Sequence, residues 1–119
     1  MIVNDSDSIL ARLMAVIEDR RANPTEKSYT TRLLNGGVDK IGGKILEEAA
    51  ELVEAARERG TDGRAHFIYE AADVLYHVLV LLGHREVRLD EVEAELARRF
   101  GVSGLEEKAS RPTKPGDGA

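Results

Sequence analysis

The sequence predicts an all-α fold: an antiparallel bundle of four main helices, completed by homodimerisation. Three observations carry that prediction. The three prolines stand at positions 24, 112 and 115, so residues 25 to 111 contain nothing that must break a helix. Charged residues are 33% of the chain and aromatics 4%, a mix that suits helices with charged outer faces better than a sandwich or barrel. Apolar residues recur at helical spacing along most of the chain. A chain of 119 residues makes one domain at most and buries only a modest core alone, which is why a second copy is expected. The domain is expected over residues 1–109, with 110–119 ("SRPTKPGDGA") a disordered tail.

The elements follow in order. Ser6 or Asp7 is placed to cap a first helix over roughly residues 8–22, where Ile9, Leu10, Leu13, Met14 and Ile17 share a face and Pro24 forces the end. "SYTTRLLNGG" reads as a short helical turn from Ser28, stopped by Gly36-Gly37. A second long helix is expected over Val38 to Arg59, with Gly60 as its stop and Ile41, Ile45, Leu46, Ala49, Leu52, Val53 and Ala56 on one face. Gly42-Gly43 lowers helix propensity there by about 1 kcal/mol per glycine, marking a bend or a close backbone approach. A third helix is expected over Arg64 to Gly83, apolar on more than one face as befits a central helix. A fourth starts at Asp90, with Glu93 placed for a capping box, Val92, Leu96 and Phe100 as its packing stripe and Gly101 as its end.

Bulk chemistry narrows the function. The formal charge is −5, from 22 acids and 17 bases, which gives no global attraction to nucleic acid or to an anionic membrane. Cysteine is absent, so disulfides, thiolate catalysis and cysteine-based zinc sites are excluded. The acidic start "MIVNDSDSILARLM" makes a poor secretory signal, and Glu70, Asp73 and His77 argue against residues 65–82 crossing a membrane. A cytoplasmic location is the expectation.

The carboxylates are the informative feature. At about 100° per residue, Glu70, Asp73 and His77 fall within roughly 60° of one another on the third helix. His66 and His84 share that stripe, while Ile68, Ala72, Leu75 and Leu79 occupy the opposite side. "EEAAE" on the second helix supplies Glu47, Glu48 and Glu51, and Glu48–Glu51 repeats the i,i+3 spacing of Glu70–Asp73. Packed side by side, the two helices can aim four acids into one gap. A hard divalent cation removes the resulting repulsion, and all-oxygen ligation suits Mg²⁺ or Mn²⁺. The plainer reading of Glu47, Glu51, Glu54 and Glu58 is a solvated face paired with Lys40 and Lys44. For His77 it is a hydrogen-bonded histidine near the core that orients an acid or touches substrate. His66 and His84, near the helix ends, read as surface residues, and Tyr76 as core packing.

The ordered set "EEAAE", an eighteen-residue gap and "EAAD" resembles the EExxE…ExxD signature of the all-α nucleoside triphosphate pyrophosphohydrolases of MazG type. "SYTTRLLNGGVDKIGGKILEEAAELVEAA", "YEAADVLYHVLVLL" and "RRFGVSGLEEKASR" are similar to the phosphoribosyl-ATP pyrophosphatase family, and the resemblance spans about residues 6 to 111. The resemblance implies hydrolysis of phosphoribosyl-ATP between its α and β phosphates, in the second step of histidine biosynthesis. It also implies metal ligation by Glu48, Glu51, Glu70 and Asp73, with Glu47 at a second metal site or helping to activate water. Substrate phosphates would then meet Arg32, Lys40, Lys44, Lys108 and Arg111, with His77 as a further substrate contact. Gly42-Gly43 and the proline-containing tail depart from the family pattern without touching the acids. Two other readings stand beside this one: a MazG-type enzyme clearing non-canonical nucleotides, and a non-catalytic helical dimerisation module. A di-iron bundle is disfavoured, because no histidine follows a glutamate by three.

Overall fold

A computed structural model describes residues 8–101. Four α-helices and no strand occur among the described residues: α1 (Ile9–Ala22), α2 (Tyr29–Arg57), α3 (Gly60–His84) and α4 (Leu89–Phe100). Helices α1 to α3 form one compact unit ending at Val87. Helix α4 belongs to a second unit and is described by itself. The tail and the segment holding Lys108 and Arg111 lie outside the described residues.

Capping chemistry sets the helix starts. The hydroxyl that opens α1 is that of Ser8, not Ser6 or Asp7, and its Oγ accepts the Ala11 N–H at 3.0 Å. Ser28 does the same for α2, accepting the Thr31 N–H at 3.1 Å. The short turn and the second long helix form one continuous element broken at Gly37, whose backbone (φ 73, ψ −167) is non-helical. That left-handed φ is available to glycine at little cost, so the sequence stop is real but the chain resumes at once. Gly42 and Gly43 mark neither a bend nor a close approach, since both are helical and a Cβ at either would meet nothing within 4 Å.

Helix α2 ends at Arg57, and Gly60 (φ 83) opens α3 rather than merely stopping α2. The close approach falls instead at buried Gly63, where a Cβ would come within 2.8 Å of the Glu58 backbone. The second unit also corrects the capping residue. The Arg88 N–H donates to Glu91 Oε2 at 2.9 Å, so α4 starts one residue before Asp90, and Glu91 rather than Glu93 reaches back. Gly101 (φ 54) ends it as expected. Of the expected stripe on α4, Val92 and Phe100 are half-buried and Leu96 is exposed.

The core of the first unit is built from Met14, Ile17, Leu33, Ile41, Ala55, Leu79 and Val80. Helix α1 meets α3 near its C-terminal end, where a Cβ on Gly83 would lie 2.7 Å from Ile17. Leu79 is buried as expected, but Ile68, Ala72 and Leu75, on the same face, are exposed. The acidic side of α3 is the buried one: Glu70 is 4% exposed and His77 4%. Helix α3 is long and apolar enough to cross a membrane by length and composition. Its buried acid and histidine face side chains of α2.

The two kinds of glycine separate cleanly in stability. Gly43→Ala, at an exposed helical position with open space, is expected to raise unfolding free energy by about 0.5–1 kcal/mol. Gly37→Ala is expected to lower it by about 1–3 kcal/mol through backbone strain. Urea unfolding curves of the two variants check both signs.

Candidate functional site

The site is made where α2 and α3 lie side by side. Along α2 the i,i+3 spacing stacks Glu48 and Glu51 on one face, and the same spacing on α3 stacks Glu70 and Asp73. Carboxylate oxygens of Glu48, Glu51 and Glu70 lie within 4.8 Å of one another. Asp73 stands beside Glu48, one step out from that group of three. Glu48 and Glu70 are buried, whereas Glu51 is exposed at the rim. A cleft of about 420 Å³ adjoins the cluster, lined by Ala50, Glu51, Glu54, His66 and Glu70.

Crowding in this way raises the pKa values of Glu70 and Asp73. Glu70 is pushed up to about 7, by the Glu51 carboxyl beside it first, by its own burial next and by Glu48 after that. Asp73 is also raised, chiefly by burial and then by Glu48. Glu70 Oε1 is buried and has no hydrogen-bond partner. A buried oxygen of this kind costs free energy until something positive or a donor reaches it.

The remaining predicted residues fall at different distances from this centre. Glu47 points outward, exposed, with Lys44 Nζ 3.5 Å from its Oε2. Lys44 also sits 3.6 Å from Glu48 Oε1, so it is the basic residue that touches the cluster. Lys40 is exposed and makes no ion pair among the described residues. Arg32 is exposed and lies over the Tyr29 ring, 5.7 Å from its centroid. His77 is held at both ring nitrogens. Its Nδ1 donates to the Asp73 carbonyl oxygen at 2.8 Å, which leaves Nε2 to accept from the Tyr29 hydroxyl at 3.4 Å. The Tyr76 hydroxyl bonds Thr30 Oγ1, and its ring stacks on Tyr29 at 6.3 Å between centroids, so Tyr76 packs within the fold.

Two residues escaped the sequence reading. Tyr29 joins His77, Tyr76 and Arg32 in one aromatic corner, although its hydroxyl is 48 positions from the ring it touches. His66 is not a plain surface histidine. It is partly exposed, yet its Nδ1 lies 3.0 Å from Glu58 Oε1 and its Nε2 3.4 Å from Glu70 Oε2. The available signal was its i−4 spacing from Glu70, which sets the two on one face.

The raised acids set a pH dependence with a definite sign. A carboxyl whose folded pKa lies above its unfolded value makes the folded state bind the extra proton. Its stabilising contribution is complete below the unfolded value of 4.5 and is lost as pH rises through about 7. The metal-free protein is therefore expected to lose thermal stability between pH 5 and pH 8. Added Mg²⁺ is expected to restore it most at pH 8, where the acids are ionised. Thermal melts with chelator and with cation at both pH values check this, and Glu70→Gln is expected to flatten the slope.

The family model described as phosphoribosyl-ATP pyrophosphohydrolase matches residues 10–100. A protein of Rhodopirellula baltica named phosphoribosyl-ATP pyrophosphatase is 58% identical over 109 residues, 92% of this chain and 91% of its own length. A protein of the same name from Geotalea daltonii is 48% identical over 106 residues, 89% of this chain and 97% of its own. One from Rhodobacter capsulatus is 49% identical over 102 residues, 86% and 96% respectively. The chain belongs to the phosphoribosyl-ATP pyrophosphohydrolase family.

Proposed function

We propose that this protein hydrolyses phosphoribosyl-ATP between its α and β phosphates in a Mg²⁺-dependent reaction, releasing phosphoribosyl-AMP and pyrophosphate in histidine biosynthesis. The observation that carries the reading is the trio Glu48, Glu51 and Glu70, whose carboxylate oxygens gather within 4.8 Å, one of these residues, Glu70, also having a buried oxygen without a partner. An all-oxygen donor set of this kind fits Mg²⁺, with Mn²⁺ as a substitute. Glu48, Glu51 and Glu70 would hold the ion, with Asp73 as the fourth acid beside Glu48. When bound, the ion neutralises polyphosphate charge and lowers the pKa of a water.

The chain's own residues supply the rest. Acids alone would repel the substrate, so Lys44, bridging Glu47 and Glu48 on the same helix, is the nearest group to meet a phosphate oxygen. Lys40, one turn before Lys44, and Arg32, across the break at Gly37, are the further basic candidates. His77 fixes the backbone of Asp73 and the hydroxyl of Tyr29 together, so it orients an acid rather than holding a metal. No covalent nucleophile enters the reaction. The substrate derives from ATP, which fits a cytoplasmic protein.

The same reading includes the finer architecture. Glu58 lies beside His66, Glu51 beside Glu70, Glu48 beside Asp73 and Tyr29 beside His77. Residue numbers fall along α2 as they rise along α3, which supports an antiparallel pair. Exposed Leu46 and Val53 on α2 and Ile68 and Leu75 on α3 repeat at i,i+7, and a second copy is the proposed cover for them.

Pyrophosphate release from phosphoribosyl-ATP tests the activity. Turnover is expected only with the divalent cation, and poorly on free nucleoside triphosphates. Glu48→Gln and Glu70→Gln are each expected to lower kcat/KM by at least ~100-fold, roughly 2.7 kcal/mol of barrier. Full turnover in either variant would remove that residue from the ligand set. Leu75→Asp is expected to sediment at half the wild-type mass.

A further inference from the structure

We propose that His66 is a positioning residue that fixes the Glu70 carboxylate for cation binding, with Glu58 as its anchor. The inference rests on the reading that Glu70 holds a divalent cation. His66 stands one turn before Glu70 on α3, and its Nε2 lies 3.4 Å from Glu70 Oε2. The other side of the ring is clamped. Nδ1 lies 3.0 Å from Glu58 Oε1 and 3.1 Å from Glu58 Oε2, a two-oxygen contact that sets the plane of the imidazole.

The anchor itself is fixed by the chain. Glu58 caps the end of α2, and α3 begins so close to it that only glycine fits at position 63. The turn thus brings a carboxylate of α2 to a histidine of α3 without a long loop to blur the distance.

The consequence for Glu70 follows from its two oxygens. Oε2 is turned toward His66, and Oε1 is the buried atom with no partner. A glutamate side chain has three rotatable bonds, and an acid repelled by Glu48 and Glu51 would swing toward solvent if nothing held it. His66 opposes that swing. It also forms a wall of the same cleft that Glu51 and Glu70 line. The exposed His66–Glu58 pair contributes little to stability by itself, so its value lies in orientation.

The test is direct titration of the full-length protein with Mn²⁺ at pH 8, reading free Mn²⁺ by electron paramagnetic resonance without substrate. His66→Ala is expected to weaken Mn²⁺ binding by roughly 10- to 100-fold, with a melting temperature within about 3 °C of wild type in chelator. His66→Gln keeps a donor toward Glu70 and is expected to recover part of the loss. Glu58→Gln is expected to weaken binding by several-fold (a smaller share of the outer-partner effect), and the double variant Glu58→Gln/His66→Ala to bind no worse than His66→Ala alone. Unchanged Mn²⁺ affinity in His66→Ala, or losses that simply add in the double variant, would overturn the positioning role while leaving the metal site standing. Failure of the wild type to bind Mn²⁺ would overturn both.

Discussion

Everything in the first unit is arranged around one unfavourable contact: the carboxyl of Glu70, 4% exposed, packed against Glu48 and Glu51. A buried acid with an orphaned oxygen is costly, and two more acids beside it make it costlier. The fold does not dilute the cost by letting Glu70 out. It places one nitrogen-bearing side chain at each end of the cluster instead, Lys44 on α2 and His66 on α3, and leaves Oε1 without a partner. The raised pKa of Glu70 is the same fact seen electrostatically: the Glu51 carboxyl, burial and Glu48 all disfavour its charged form.

The supporting structure serves to keep that contact from relaxing. Capping by Ser28 and the break at Gly37 direct the start of α2 so that Tyr29 reaches α3, where His77 takes its hydroxyl on one side and the Asp73 carbonyl on the other. At the opposite end, Gly63 brings α3 up against Glu58. The two helices are thus tied at both ends of the acidic segment by polar contacts, while Ile41, Ala55, Leu79 and Val80 supply apolar burial. Neighbouring turns cannot slide to separate the acids without breaking one of these ties.

How much of this was legible in the sequence depends on the range of the interaction. Helix existence and the pairing of acids by i,i+3 are local properties, and Glu48, Glu51 and Glu70 come together as their spacing allows. Glycines were harder, because sequence shows where backbone freedom is present but not where it is used. Gly37 and Gly63 use it, while Gly42 and Gly43 do not. The burial of α3 is hard to read for a related reason. Periodicity separates an apolar side from a polar one but does not say which neighbour lies where, so Ile68 and Leu75 sit opposite the acids as their spacing predicts and yet are exposed. Tyr29 was illegible as a site residue because His77 comes from another helix, and His66 was only half legible: its spacing from Glu70 is local, but its anchor Glu58 comes from α2. For His66 the cross-helix partner is only eight positions away, but the turn geometry that joins them belongs to the folded chain.

The inversion of α3 carries a further argument. An amphipathic helix ordinarily turns its apolar side inward, since burial of apolar surface is the main favourable term in folding. Here the acidic side is turned to α2, and α1 packs near Gly83, while Ile68 and Leu75 stay exposed. Folding of one chain alone thus gives up apolar burial in order to bury acids. Such an arrangement is tolerable if both debts are settled from outside: a cation for the acids and a second copy for the apolar side. The two requirements lie on opposite faces of one helix. Under our proposal, packing by the partner holds α3 in place, and that in turn holds Glu70 and Asp73 against Glu48 and Glu51. Dimerisation and cation binding would then be linked through the rigidity of α3 itself, without any residue of the apolar face touching the ion.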